Sequence, residues 1–205
     1  MEIEAKLSVP DEDSFRRLHG IDRLAGYTVL PGRVEEVEDT YLDTPGGAIL
    51  TAGFACRRRR RAGRITVTLK ALVGAEGAIH RREELEVELR EDGPPAQWPA
   101  SPVRERLAEW GGKGPLVPLF ELRQRRDVRL VGAGERVVAE LSLDEVTFAT
   151  AEGEARTFEL ELELRPGGSE EELVALATCL REEWGLMPEP VSKFERGLAL
   201  AGLRI

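Results

Sequence analysis

Lysine is nearly missing from this chain: only four of its 29 basic residues are Lys, and the rest are Arg. Aromatic residues are scarce at 5%, and 205 residues hold just two cysteines and two histidines. Cys56 and Cys179 lie far apart without metal-ligand spacing, which excludes a disulfide framework and a cysteine zinc site and leads to the expectation of a reduced, cytoplasmic setting. No apolar run approaches the roughly 20 residues of a membrane-spanning helix. The leading segment carries Glu2 and Glu4 and no apolar stretch, so no secretory leader is expected. An excess of positive charge is missing too. With a net charge of −9 and a pI near 5.0, the chain lacks the general basic surface that nucleic-acid binding demands. Any basic site has to be local.

What is present is charge, at 33% of residues, arranged with period two. The alternation predicts eight strands, near residues 1–9, 35–43, 54–61, 64–72, 80–91, 119–131, 136–149 and 154–165. Helices are expected over 11–19, from Ser101 to Trp110 with Pro102 in the first turn, and from Ser169 to Gly185. In the last of these, Ser169 and Glu172 form a capping box ahead of an apolar stripe through Leu173, Leu176, Ala177, Leu180 and Trp184. The Pro/Gly clusters at 93–102 and 111–118 read as connections within one domain spanning 1–205. His19 and His80 stand alone in sequence, and structural roles are expected for both.

Strand parity sorts the charges onto one face. Glu2, Glu4 and Lys6 oppose Ile3, Ala5 and Leu7. Glu84, Glu86 and Glu88 oppose Leu85, Val87 and Leu89. Glu159, Glu161 and Glu163 oppose Phe158, Leu160, Leu162 and Leu164, and Glu140, Ser142 and Asp144 oppose Ala139, Leu141 and Leu143. Among the basic strands, Phe54 and Cys56 set a phase that puts Arg57, Arg59 and Arg61 on the charged face, and Thr66, Thr68 and Lys70 share one face of theirs. With Phe120, Leu122, Val128 and Leu130 taken as the apolar side, Glu121, Arg123, Arg125, Asp127 and Arg129 join the charged one. An ordinary half-buried sheet with its charges in water is one reading. Against it stands the segregation of sign, because like charges about 4 Å apart repel by roughly 4 kcal/mol at an effective dielectric near 20. A sheet closed with its charged faces inward would offset that repulsion by bringing acidic and basic strands together around hard cations and a polyanion.

"EIEAKL" resembles the ExExK signature of the CYTH domain, the triphosphate tunnel metalloenzyme superfamily. "YLDTPGGAIL", "FACRRRRRAGRITVTLK", "RREELEVEL", "RQRRDVRL", "AELSLDEV", "FELELEL" and "SKFERGL" follow in that family's order and cover nearly the whole chain. The resemblance implies an α+β, mainly β fold: a closed eight-stranded antiparallel tunnel with a charged interior and a few external helices. It implies Mg²⁺ or Mn²⁺ as cofactor, with Glu2, Glu4, Asp144, Glu159, Glu161 and Glu163 as metal ligands. Phosphate contacts fall to Lys6, Arg57, Arg59, Lys70, Arg82, Arg123, Arg125 and Lys193, and the catalytic set is Lys6, Glu4, Arg57, Arg59 and Lys70. The implied activity is metal-dependent hydrolysis of inorganic triphosphate. Thiamine triphosphate hydrolysis and ATP cyclisation occur in relatives with similar interiors. CYTH domains are often joined to a helical CHAD domain associated with polyphosphate, so polyphosphate binding without turnover is the competing reading. Expected partners are therefore a triphosphate or polyphosphate, with no nucleic acid and no membrane, and a homodimer as an allowed assembly.

Overall fold

The computed structural model describes residues 2–72, 79–111, 114–150 and 153–203, together with the backbone alone of Ala75–Glu76. The strands are β1 (Glu2–Val9), β2 (Arg23–Leu24), β3 (Tyr27–Val29), β4 (Arg33–Asp43), β5 (Phe54–Arg61), β6 (Arg64–Ala71), β7 (Ala75–Glu76), β8 (Ile79–Arg82), β9 (Glu84–Leu89), β10 (Val117–Ala133), β11 (Arg136–Thr150), β12 (Gly153–Leu164) and β13 (Met187–Pro188). The helices are α1 (Glu12–Leu18), α2 (Ala48–Thr51), α3 (Pro102–Glu109), α4 (Glu170–Trp184) and α5 (Lys193–Leu200). Alternating segments became strands where the sequence predicts them. Among the described residues, no helix is long and apolar enough to cross a membrane.

Nine strands, not the expected eight, form a nearly closed antiparallel barrel, in the order β8, β1, β12, β11, β10, β4, β5, β6, β9. The extra strand comes from the segment predicted as one strand over 80–91. It breaks at Glu83, so β8 pairs with β1 while β9 pairs with β6. The Glu83 carbonyl accepts the Ala71 amide at 3.0 Å. The chain itself therefore crosses the seam between the two edge strands. The hairpin from β5 to β6 turns on Ala62 and Gly63, both at positive φ (48° and 77°), with Arg61 and Arg64 as the closing pair. Two central residues at positive φ twist a two-residue loop to match its strands.

Apolar strand faces turn outward beneath the helices. Leu141, Leu143, Leu160 and Leu162 of β11 and β12 pack under Leu173, Leu176 and Leu180 of α4. On the other side, Val67, Leu69 and Val87 are covered by Val103 and Leu107 of α3. A third apolar cluster lies inside the barrel wall. Phe120 and Leu122 of β10 meet Tyr41, Phe148 and, from α5, Phe194 and Leu198. Directly paired residues share a face of the sheet, and the register sets Leu122 opposite Phe148, Gln124 opposite Val146 and Arg126 opposite Asp144. The inward face of β10 is thus the even-numbered one, the reverse of the phase read from sequence. Phe120 and Leu122 are apolar because they close one end of the barrel against α5, and they do not mark its outside.

Candidate functional site: a charged tunnel

The inward faces enclose a cavity of about 380 Å³. Of the residues predicted for the site, Glu2, Glu4 and Lys6 line it from β1, and Glu161 and Glu163 line it from β12. Arg57, Arg59, Lys70, Arg82 and Lys193 line it from β5, β6, β8 and α5. Asp144 and Glu159 are buried in the wall behind it, at 0% and 2% exposure. The structure does not bring Arg123 and Arg125 to this cavity. Both are exposed on the outer surface, because the inward face of β10 carries Gln124 and Arg126 instead. Arg126 was missed in the sequence reading since the run Arg123–Arg126 is polar at both parities. Arg58 and Arg60 point outward and share Asp92 as their partner.

Two ionic clusters divide the cavity wall. In the first, the Lys70 ammonium lies 2.5 Å from Glu2 Oε2, 3.6 Å from Glu4 Oε1 and 3.8 Å from Glu84 Oε2. Lys6 lies 3.5 Å from Glu4 and 3.2 Å from Glu161. Burial, reinforced by the Glu4 and Glu84 anions against the pull of Lys70, raises the Glu2 carboxyl to about 7. Burial also acts to raise Glu4, but Lys6 and Lys70 outweigh it and hold Glu4 below the usual carboxylate range. Charge density thus differs sharply between two glutamates of one strand.

In the second cluster, Arg126 grips Asp144 with two bonds of 2.7 and 2.5 Å and reaches Glu161 at 2.7 Å. Lys193 adds contacts to Asp144, Glu159 and Glu161. Burial opposes ionisation of Glu161, yet Lys193, Lys6 and Arg126 together hold its carboxyl well below the ordinary range. Nearby, Arg59 makes a two-bond pair with Asp39, at 2.7 Å each, and Gln124 donates to the same carboxylate at 2.6 Å. Asp39 was not singled out from sequence, although its parity on β4 matches the inward face.

Two lining guanidinium groups stand apart from these clusters. Among the described residues, neither Arg57 nor Arg82 has a carboxylate within 4 Å, although Asp39 and Glu84 attract Arg57 from farther away. Arg57 donates to the Thr68 hydroxyl at 3.5 Å and its Nε has no hydrogen-bond partner. Arg82 is 7% exposed, its Nη2 bonds His80 Nδ1 at 2.6 Å, and its Nε is likewise unpaired. Burying a guanidinium without an anion is costly. These are positions that an anionic ligand would satisfy.

Among the described residues, no three His, Cys, Asp or Glu side chains form a preassembled metal cluster. Three buried carboxylate oxygens nevertheless lack hydrogen-bond partners: Glu2 Oε2, Glu4 Oε1 and Glu159 Oε1. Glu2 Oε2 meets Lys70 at 2.5 Å, and Glu4 Oε1 meets Lys6 and Lys70 at 3.5 and 3.6 Å, as ion pairs. Hard, anionic oxygens of this kind are the donors that Mg²⁺ and Mn²⁺ prefer. The donor set at Glu2 and Glu4 therefore fits a divalent ion.

The structure is similar to that of HpAC1 from Hippeastrum, an adenylyl cyclase candidate with a dominant triphosphatase activity. The TM-score is 0.76 at 22% identity, over 100% of this chain and 98% of that one. A Bacillus halodurans adenylate cyclase candidate matches with a TM-score of 0.63 at 20% identity, over 96% of each chain. The PH1819 protein of Pyrococcus horikoshii OT3 matches at 0.58 and 21% identity, over 97% of this chain and 99% of that one. At these identities the likeness is one of fold. No curated protein matches the sequence. The family model described as the CYTH domain matches residues 1–198. With the ExExK strand, the arginine strand and the late SK motif all gathered on one cavity, the chain belongs to the CYTH domain family.

Proposed function

We propose that this protein is a phosphohydrolase that cleaves inorganic triphosphate inside the tunnel with the help of Mg²⁺ or Mn²⁺. The observation that carries this reading is the meeting of two kinds of group on one cavity: Arg57 and Arg82, with unpartnered Nε atoms and no carboxylate within 4 Å, and the Glu2 and Glu4 carboxylates, whose buried oxygens are held by the ammonium groups of Lys6 and Lys70. A metal–polyphosphate complex suits both at once. Arg57, Arg59 and Arg82, with Lys6 and Lys70, would bind phosphate oxygens, the guanidinium forks matching their geometry. Glu2 and Glu4, with Glu163 across the strand pair, would hold the divalent ion, whose chemistry is to offset charge on the transferring phosphoryl group. Arg126, Asp144, Glu159 and Glu161 would keep that wall rigid, so that positioning supplies most of the rate.

The cavity favours an inorganic chain over a nucleotide. Tyr41 and Phe194 are the aromatic residues on its described lining, and both are occupied: Tyr41 stacks on Phe120 at 4.7 Å and meets Phe194 at 5.3 Å. Among the described residues, no free ring faces the cavity to receive a base. The whole chain of 205 residues would work as one unit in the cytosol, where Cys56 and Cys179, both unpaired, stay reduced.

The test is phosphate release from tripolyphosphate, thiamine triphosphate and ATP, with and without Mg²⁺, in the wild type and in Glu4→Ala. Metal-dependent turnover of tripolyphosphate that falls by at least about 100-fold in the variant is the expected result. Tight tripolyphosphate binding without turnover would make the tunnel a polyphosphate-binding module instead. Cyclic AMP formation from ATP, or preference for thiamine triphosphate, would reassign the substrate.

A further inference from the structure

Arg82 reaches the cavity from β8, the short strand at the barrel seam. Strand pairing places His80 opposite Glu4 and Arg82 opposite Glu2, so both even-numbered residues of β8 share the inward face with those glutamates. Outside, Arg81 binds Glu170 of α4 through Nε at 3.2 Å and Nη2 at 2.5 Å, which pins the strand from behind. The His80 ring is fully buried, and its Nδ1 lies 2.6 Å from Arg82 Nη2. A guanidinium only donates, so Nδ1 is the acceptor and the ring carries its proton on Nε2. Burial beside Arg82 and Lys6 keeps that ring uncharged by lowering its pKa. The contrast with other inward arginines is one of charge. Arg59 and Arg126 are oriented by the carboxylates of Asp39 and Asp144, which cancel much of the positive charge they hold in place. His80 fixes Arg82 and cancels none of it.

We propose that His80 is a positioning residue: a neutral imidazole that aims the Arg82 guanidinium into the tunnel while leaving its whole charge for an anionic ligand. The grip of Arg82 on phosphate rests on the functional reading above; the tether from His80 stands without it. An arginine side chain has many rotamers, and one held by nothing gives up that freedom when its ligand arrives. Orientation in advance lowers this cost. Because Nη2 is engaged by the ring, Nε, buried and without a hydrogen-bond partner, is a donor left free for a phosphate oxygen. His80 itself touches no ligand in this arrangement and acts through Arg82.

Calorimetric titration with imidotriphosphate in the presence of Mg²⁺ tests this on the wild type, His80→Ala, His80→Asn, His80→Asp, Arg82→Ala and the double variant of His80→Ala with Arg82→Ala. Asn offers a neutral acceptor near the position of Nδ1, and Asp a charged one. His80→Ala should weaken binding about 3- to 10-fold, the cost of ordering one long side chain, and Arg82→Ala at least about 10-fold. His80→Asn should bind within about twofold of the wild type, whereas His80→Asp should fall at least about 10-fold because its carboxylate cancels the charge it orients. The double variant should bind no more weakly than Arg82→Ala, since nothing is left to aim. Losses that multiply in the double variant, wild-type affinity in a folded His80→Ala, or equal affinities in His80→Asn and His80→Asp would overturn the proposal. If His80→Ala does not fold, the comparison of His80→Asn with His80→Asp decides. Wild-type affinity in Arg82→Ala would remove Arg82 from the phosphate site and this assignment with it. A wild type that binds the analogue yet leaves tripolyphosphate intact supports the assignment while removing the hydrolytic reading.

Discussion

Arg123 and Arg126 are three residues apart and on opposite sides of the barrel wall. Removing Arg126 would take the two-bond guanidinium partner from buried Asp144 and a bond from Glu161, leaving Lys193, and for Glu161 also Lys6, to hold them. Arg126→Ala is therefore expected to destabilise the fold by about 3–5 kcal/mol and to depress triphosphate turnover, whereas Arg123→Ala should stay within about 0.5 kcal/mol. Urea unfolding of both variants checks this, and equal costs would contradict the placement of the two side chains. His80 supplies a pH dependence. Burial, with Arg82 and Lys6 nearby, lowers its pKa to about 4, below the roughly 6.5 of an unfolded histidine. The unfolded chain then takes up the proton first, so this contribution to stability is complete above about pH 6.5 and is lost as pH falls toward 4, by up to about 3 kcal/mol. Denaturant melts at pH 7 and pH 4.5 should show a smaller acid loss in His80→Gln than in the wild type; an identical loss would mean that the ring is not kept neutral. Glu2 acts in the opposite sense, because a raised carboxyl pKa stabilises most at low pH and the effect fades as pH rises through about 7.

Among the elements, α5 depends on one glycine. A Cβ at Gly197 would fall on the Phe120 ring, well inside contact distance. Gly197→Ala should cost about 1–3 kcal/mol through overpacking and lift α5, which weakens the hold of Lys193 on its three carboxylates. Thermal unfolding checks the first effect, and a neutral outcome would mean that the helix does not seat on that ring. The strands themselves were legible in the sequence because alternation is a local signal. The break at Glu83 was not, since the inward residues keep even numbering on both sides of it, with Arg82 before and Glu84 after. Only the change of partner strand marks the seam. On β10 the phase was misread for a similar reason: Phe120 and Leu122 are apolar by virtue of a helix some 75 residues later. That helix did leave a trace, as Ser192 and Glu195 form a capping box at its start.

At the scale of the whole molecule, a chain with a net charge of −9 gathers nine of its 29 basic residues on the lining of one cavity. Basic side chains outnumber carboxylates on the described lining of the cavity, so the acidic exterior and the anion-seeking interior are separated by the barrel wall. Most of the candidate site followed from strand parity and from the family resemblance; the pairing of Lys193 with Asp144, Glu159 and Glu161 needed three dimensions, because it joins a helix to two strands. The most direct test of the tunnel is a crystal structure with Mn²⁺ and imidotriphosphate, a non-hydrolysable analogue, with Mn²⁺ located by anomalous scattering. The expected result is the analogue within hydrogen-bond distance of Arg57 and Arg82 and Mn²⁺ on Glu2 and Glu4. Analogue bound instead on the outer surface beside Arg58, Arg60 and Arg123, with the barrel interior unchanged, would contradict it.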